Sequence, residues 1–264
     1  MPKVSANGIN IYYERHGQGE PLVLIAGFSA DHSIWETVIE PLSKHYEVIV
    51  FDNRGAGQTD VPAGPYNIEE LAEDVVGLCQ ALDIQQAHFI GNSMGGFILQ
   101  TLARHHTNLV KSAVISNSTN VMHTCFQYFV ESQLEMIKAD APFSALIKAA
   151  FSWAFSFRFL SQPGVFEQLI QSMLDNPYPC TPEGYEAQSQ ALSQFDSRGW
   201  LDELRVPVLV IGGDQDLIFH ESTIKALAEG IPKAQYYCFQ ECGHLPHIEY
   251  PEQFVKVVRD FLTA

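Results

Sequence analysis

The sequence has 264 residues, of which 46% are hydrophobic and 17% are charged, a composition typical of a soluble globular protein with a substantial core. Its net charge of −16 would repel nucleic-acid phosphates and anionic membrane surfaces, and no cluster of lysine or arginine interrupts this acidity. We therefore expect neither nucleic acid nor a membrane as a partner.

Short apolar runs that end at small or polar residues predict the strands of a sheet. Strands are predicted over residues 9–14, 21–26, 47–51, 87–91, 112–116, 207–212 and 235–239. Because most of these runs are continuously apolar, they are typical of parallel strands that are buried on both faces.

Apolar residues at steps of three and four predict helices between these strands. The clearest stripe consists of Ile68, Leu71, Val75, Leu78 and Leu82. Asn67 precedes it as the predicted N-cap, with Glu70 three residues further on. Further helices are predicted over residues 96–106, 221–229 and 251–262. Alternating strands and helices indicate a mostly parallel sheet with helices on both faces.

The alternation stops between about residues 120 and 204, where the sequence becomes aromatic-rich and mostly helical in pattern. We predict an inserted helical cap over residues 120–204 and a core made of residues 1–119 and 205–264. Most aromatic residues of the cap are expected to pack it against the core.

Residues 91–96, Gly-Asn-Ser-Met-Gly-Gly, lie between a predicted strand and a predicted helix. A nucleophilic serine at a sharp strand-to-helix turn needs small neighbours, because the turn leaves it in a strained conformation with its hydroxyl exposed. Gly91 and Gly95 meet this need, although ordinary turns also show the pattern. The following helix N-terminus favours an anion, and Ser93 is the predicted nucleophile.

A serine nucleophile needs a base to take its proton and an acid to orient that base. Asp214 and Asp216 both follow the predicted strand at residues 207–212, and His244 follows Gly243 after the next strand. Residues 117–119, Asn-Ser-Thr, offer no carboxylate after the preceding strand. The residues alone leave Asp214 and Asp216 open as the acid.

These motifs resemble those of the α/β-hydrolase superfamily over residues 8–118 and 204–263. The resemblance implies the α/β-hydrolase fold, a mostly parallel central sheet flanked by helices with an inserted helical cap. It assigns the catalytic acid to Asp216, the last residue of Gly-Asp-Gln-Asp, and the base to His244, which opens a similar histidine loop. The backbone N–H groups of Phe28 and Met94 are the expected oxyanion donors, although residues 26–28 are Ala-Gly-Phe where the family more often has His-Gly.

Within the superfamily, residues 60–66 and 91–96 are most similar to 3-oxoadipate enol-lactonases and related small carboxylesterases. The resemblance implies hydrolysis of a small ester or lactone through an acyl-enzyme, with no cofactor and no metal. Phe126, Phe129 and Trp153 are expected to line an apolar substrate pocket. Arg158 is either a surface residue or the cation that binds a remote substrate carboxylate.

Three alternatives stay open. A hydrolase of carbon–carbon bonds in diketone-like substrates would use the same triad, and a small-ligand receptor would keep the triad with little turnover. A methylesterase acting on an acyl-carrier protein would need a basic docking face, whereas acidic residues outnumber basic ones in the cap. A free small-molecule ester or lactone is therefore the predicted partner.

The expected location is the cytoplasm. No apolar run approaches the length of about 20 residues that crosses a bilayer, and the first residues lack the apolar segment of a secretory signal. The five cysteines are an odd number at no metal-ligand spacing, which indicates reduced thiols.

Overall fold

The central element of the protein is an eight-stranded sheet, seen in a computed structural model that describes residues 2–264. Its strands are β1 (Lys3–Ala6), β2 (Ile9–His16), β3 (Glu20–Ile25), β4 (Tyr46–Phe51), β5 (Ala87–Asn92), β6 (Val110–Ser116), β7 (Val208–Gly213) and β8 (Gln235–Phe239). Their order across the sheet is β1-β2-β4-β3-β5-β6-β7-β8. The β1–β2 and β2–β4 pairs are antiparallel, and all later pairs are parallel.

Helices connect the parallel strands. They are α1 (Glu36–Ser43), α2 (Ile68–Ala81), α3 (Met94–His105), α4 (Thr124–Lys138), α5 (Phe143–Ala154), α6 (Phe157–Leu160), α7 (Val165–Leu174), α8 (Pro182–Ser193), α9 (Glu221–Gly230), α10 (Pro246–Glu249) and α11 (Pro251–Leu262). Short 3₁₀ helices cover His32–Trp35 and Leu201–Glu203. The predicted N-cap is present, since the Asn67 side chain accepts a hydrogen bond from the Glu70 N–H at 2.7 Å. The predicted mostly parallel α/β architecture is confirmed.

Alternate residues of the strands belong to two separate hydrophobic cores, one on each face of the sheet. Val23 and Ile25 of β3 point to the face covered by α2, α3 and α9, whereas Leu22 and Leu24 point to the face covered by α1 and α11. Successive side chains of a strand point to opposite faces, so a continuous apolar run buries residues on both. Because β3 to β8 run parallel, their carboxyl ends lie at one edge of the sheet, where ligands bind in open α/β sheets.

The helical insert, residues 120–204, lies between β6 and β7 and contains α4 to α8. Its two ends are joined by an antiparallel bridge between Val121 and Asp196 and by a 2.8 Å hydrogen bond from the Ser197 N–H to the Asn120 carbonyl. The beginning and the end of the insert are therefore in direct contact with each other. Its division from the rest of the chain at residues 120 and 204 stays a prediction.

Two features concern the whole chain. None of the helices in residues 2–264 is long and apolar enough to cross a membrane. All five cysteines are free thiols.

His247 is fully buried in the core beside α1 and α11. Its ring lies 4.4 Å from that of Trp35 and 5.7 Å from that of Phe254, measured between centroids. Burial, followed by the nearby His244, lowers the pKa of His247 from its ordinary value of 6.5 to about 3. The folded protein therefore holds this imidazole neutral, whereas the unfolded chain protonates it below about pH 6.5.

We expect this histidine to make the protein less stable in mild acid. Because the pKa is depressed on folding, the full stability is present above pH 6.5 and is lost as the pH falls from 6.5 towards 3, by about 1.4 kcal/mol per pH unit. The free energy of unfolding is measured with urea at several pH values between 7 and 4. His247→Leu should remove the part of its pH dependence that comes from this histidine. The same change at the exposed His105 is the matched control, and an unchanged slope in His247→Leu would contradict the prediction.

Candidate active site

Ser93 stands at the turn between β5 and α3, with backbone angles φ 56° and ψ −118°. Its N–H donates to the Ser116 carbonyl at 3.0 Å, so the turn is fixed to the neighbouring strand β6. A Cβ at Gly91 would overlap the Gly95 carbonyl, and one at Gly95 would overlap the Ile25 carbonyl. The two glycines are therefore required by close packing around a strained serine, as expected of a nucleophile elbow.

His244 and Asp216 form a buried hydrogen-bonded pair. His244 Nδ1 lies 2.8 Å from Asp216 Oδ2, and the two residues are 4% and 2% exposed. The other carboxylate oxygen, Oδ1, accepts the N–H groups of Ile218 at 2.8 Å and Phe219 at 2.9 Å. These bonds fix the carboxylate, and its oxygen beside Nδ1 favours the tautomer of His244 that carries the proton on Nδ1 and a lone pair on Nε2.

The predicted acid is thus the aspartate that contacts His244. Asp214 lies two residues earlier and is half-buried; its Oδ1 accepts the N–H of Cys242 at 3.2 Å. It supports the loop that precedes His244 without contacting the imidazole.

Ser93 and His244 belong to neighbouring segments at the carboxyl edge of the sheet. The Asn92 side chain, next to Ser93 in sequence, donates to the carbonyls of His244 and Ser116, each at 3.3 Å. Nε2 of His244 is buried without a hydrogen-bond partner among residues 2–264, and the Ser93 side chain makes no capping hydrogen bond to α3. The site therefore brings the segment of Ser93 next to that of His244, whose Nε2 has no partner in the protein, and the predicted proton transfer from serine would need such a nitrogen.

The loop after β3 supplies the second wall of the site. A Cβ at Gly27 would lie only 3.2 Å from Cβ of Ser93, so this loop is in direct contact with the elbow. Within the described chain, neither the N–H of Phe28 nor that of Met94 has a hydrogen-bond acceptor. Unpaired N–H groups are what the predicted oxyanion donors need, and this role stays a prediction.

Aromatic side chains extend from His244 into the helical insert. The Phe219 ring lies 5.6 Å from that of His244 and 5.8 Å from that of Phe126. Phe129 then lies 5.7 Å from Phe126 and 5.0 Å from Trp153, all between centroids. The three aromatic residues predicted to bind substrate are therefore joined in one series, which reaches the imidazole through Phe219.

Arg158 is not part of this group. Its side chain is 49% exposed, its guanidinium donates to the Tyr250 hydroxyl at 2.8 Å, and Nε lies 3.9 Å from Glu241. Of the two roles that the sequence leaves open for Arg158, this position fits the surface one, and a role in substrate binding stays a prediction. Ser156 is the N-cap of α6, and Arg158 in the first turn of this helix extends over the ring of Tyr250, 5.1 Å from its centroid.

The helical insert also holds the loop that carries His244. The His244 N–H donates to the Ala154 carbonyl at 2.7 Å. Glu249 accepts the Gly243 N–H at 2.9 Å and the Ser156 N–H at 3.0 Å, together with the Ser156 hydroxyl. Burial raises the pKa of the Glu249 carboxyl, although these hydrogen bonds oppose the change. The position of His244 is therefore coupled to the junction between α5 and α6.

Asn117 is a site residue that the sequence analysis passed over. It directly follows β6, is fully buried, and donates to Asp216 Oδ2 at 3.0 Å and to the Gly243 carbonyl at 3.1 Å. Its φ of 46° is in the left-handed region, where asparagine is tolerated. Its place at the carboxyl end of a strand next to β7 was the signal, but only carboxylates were sought there.

Asp31, His32 and Asp52 are close enough together to be considered as metal ligands. Their atoms already bind one another or the backbone: Asp52 Oδ1 accepts the N–H of His32 and lies 2.8 Å from its Nδ1, and Asp31 Oδ1 accepts the Ser33 N–H at 2.8 Å. Although burial opposes protonation, the hydrogen bond to Asp52 raises the pKa of His32. This cluster is a partly buried group of hydrogen bonds that supports the loop after β3.

The alpha/beta hydrolase fold family matches residues 20–251, and the chain belongs to it. The chain is 29% identical over 253 residues to 3-oxoadipate enol-lactonase 2 of Acinetobacter baylyi, covering 95% of this chain and 92% of that protein. It is also 29% identical over 276 residues to 2-hydroxymuconate semialdehyde hydrolase of a Pseudomonas species, covering 99% and 93%. The crystal structure of the enol-lactonase from Burkholderia xenovorans is 29% identical, with a TM-score of 0.90 and full coverage of both chains. The predicted superfamily and the predicted class of enzyme, a hydrolase, are confirmed.

Proposed function

We propose that Ser93, His244 and Asp216 form a catalytic triad that hydrolyses a small carboxylic ester or lactone. The observation that carries this proposal is the Asp216–His244 pair at 2.8 Å, in which both carboxylate oxygens are bound and Nε2 of the histidine has no partner. A histidine held in this way is prepared to accept a proton from a neighbouring hydroxyl. The serine stands on the adjacent elbow.

The reaction proceeds in two halves. Nε2 of His244 takes the proton of Ser93 while Oγ attacks the ester carbonyl, and the resulting oxyanion binds the N–H groups of Phe28 and Met94. The alcohol leaves with the proton from His244, and an acyl group remains on Ser93. Water then attacks this acyl-enzyme with His244 as base, releasing the carboxylic acid and restoring the serine. No cofactor takes part in these steps.

The preferred acyl group is apolar and uncharged, and the helical insert acts as the cap over it. Phe126, Phe129 and Trp153 continue the aromatic series that begins at His244. All four lysine and arginine side chains of residues 120–204 lie exposed: Lys138, Lys148, Arg158 and Arg198. A substrate related to 3-oxoadipate, a dicarboxylate, would bring a second carboxylate to a cap that directs no cation inward.

A second candidate is hydrolysis of a carbon–carbon bond, favoured by the similarity to 2-hydroxymuconate semialdehyde hydrolase. The same triad would serve, and the leaving group would be a carbanion that must be stabilised before the bond breaks. Turnover rates on simple p-nitrophenyl esters and on a diketone-like substrate separate ester hydrolysis from carbon–carbon hydrolysis by which substrate reacts faster. They also separate both enzymes from a receptor. An esterase should reach at least about 1 turnover per second on the esters, whereas a receptor would be far slower on both substrates.

We expect neutral acyl esters to react faster than their charged analogues. On one leaving group, acyl chains of rising length are compared with chains of equal length that end in a carboxylate. The carboxylates should show kcat/KM values at least about tenfold lower, because an unpaired charge is costly in an aromatic pocket.

Arg158→Ala is the informative variant for this series. It should leave the ratio between neutral and charged esters unchanged, since Arg158 binds Tyr250 at the surface. Faster turnover of the carboxylates that disappears in Arg158→Ala would instead support a dicarboxylate substrate. Arg198, which is also exposed and is paired with Asp196, provides the control substitution.

A further inference from the structure

Gln188, in α8 of the helical insert, connects the insert to the loop that carries Phe28. It is fully buried, and both ends of its amide are used. Oε1 accepts the Ser29 N–H at 2.8 Å, and Nε2 donates to the Arg54 carbonyl at 2.7 Å. A glutamine in mid-helix thus joins two loops that lie more than 100 residues away in the sequence.

The loop needs such support because of its backbone conformation. Ser29 has φ 58°, in the left-handed region that non-glycine residues adopt only when the surroundings hold them there. Its neighbour Phe28 packs edge-on against Tyr185, one turn earlier in α8, at 4.6 Å between centroids. Two consecutive loop residues are therefore held by one face of α8.

The other end of the Gln188 amide is attached to a rigid part of the core. The Arg54 guanidinium is buried and donates to Asp74 of α2 at 2.6 Å, and it also pairs with Glu70. Since Arg54 is fixed in this way, the Gln188 side chain holds the Ser29 N–H at a set distance from the Arg54 carbonyl.

We propose that Gln188 is a positioning residue for the oxyanion donor at Phe28. The inference rests on the proposed function, in which the Phe28 N–H binds the developing oxyanion. The Phe28 N–H has no other acceptor in the described residues, so its direction depends on the loop, and the loop is held through Ser29. An oxyanion donor acts on the transition state, so its displacement lowers kcat and leaves KM nearly unchanged.

Gln188→Met tests this role because it keeps the length of the side chain and removes both hydrogen bonds. We expect kcat on a p-nitrophenyl ester to fall by about 10- to 100-fold, less than the loss on removing an oxyanion donor outright, with KM within about threefold. Affinity for a trifluoromethyl ketone, which binds as a tetrahedral adduct, should fall by a similar factor. Gln194→Met, at the exposed end of α8, is the matched control and should match the parent.

Gln188→Glu covers the case in which the methionine variant folds poorly. The carboxylate still accepts from Ser29 and loses the donor to Arg54, so kcat should fall by about 3- to 10-fold, again without a change in KM. Unchanged kcat and unchanged inhibitor affinity, or a loss confined to KM, would overturn the inference. A parent that neither turns over esters nor is labelled at Ser93 by an organophosphate would overturn the proposed function as well, which separates the two failures.

Discussion

Replacing Ser93 with alanine is expected to lower kcat for ester hydrolysis by about 10⁶-fold, because the acyl-enzyme can no longer form. The fold should be retained. Alanine keeps the Cβ that already occupies the strained turn, and the Ser93 side chain contributes no capping hydrogen bond to α3. The measurements are turnover of a p-nitrophenyl ester and mass spectrometry after reaction with an organophosphate, with the melting temperature as a check on folding.

Ser118→Ala provides the matched control for this experiment. Ser118 is also buried, its hydroxyl is unpartnered, and it lies beside Gly96 near the start of α3. It should keep the activity and the labelling of the parent, whereas Ser93→Ala should lose both. Near-parent activity in Ser93→Ala would falsify the assignment of the nucleophile and, with it, the triad.

The second large effect is expected for Asp216→Asn, with a loss of about 10⁴ in kcat. The asparagine oxygen would accept the N–H groups of Ile218 and Phe219, as Oδ1 does now. Its NH₂ group would then face His244 Nδ1 and the amide of Asn117. This forces the proton of His244 onto Nε2, which removes the lone pair that the reaction needs. Steady-state kinetics on one ester measure the loss.

Asp214→Asn is the matched comparison, because it shows which of the two aspartates is the catalytic acid. Asparagine still accepts from the Cys242 N–H, so only the charge is lost, and kcat should fall by at most about tenfold. If Asp214→Asn were the more damaging change, the catalytic acid would lie two residues earlier than proposed. The assignments of Ser93 as nucleophile and His244 as base would not be affected.

Most of the sheet could be predicted from the sequence because its strands are buried on both faces. The run at residues 87–91 lies within the fully buried strand β5, and the helix predicted over residues 251–262 matches α11. The edge strand β1 could not be predicted in this way, since Lys3–Ala6 is short, exposes two of its four residues and carries no apolar run. The helix predicted from residue 96 begins at Met94, directly after Ser93. The glycines at residues 95 and 96 concealed this start because glycine has a low helix propensity.

The site was predictable where it depends on local motifs and not where it depends on distant contacts. Ser93 and His244 each lie in a short pattern of small residues that has a recognisable chemical purpose. Nothing local connects Gln188 with Ser29, or Asn117 with Asp216, because these pairs meet only after the sheet has formed. The direction of Arg158 was open for a similar reason: it is decided by where α6 begins and by the ring of Tyr250.

The hydrogen bonds between the insert and the histidine loop limit how this enzyme can acquire new substrates. Residues 120–204 form a segment whose ends meet, so at first sight a different segment could be transplanted in its place. Yet Ala154 and Ser156, within that segment, hold the backbone of His244 directly and through Glu249. Any chimera must therefore reproduce this short contact, and the aromatic lining is the part of the segment that can be exchanged without breaking it.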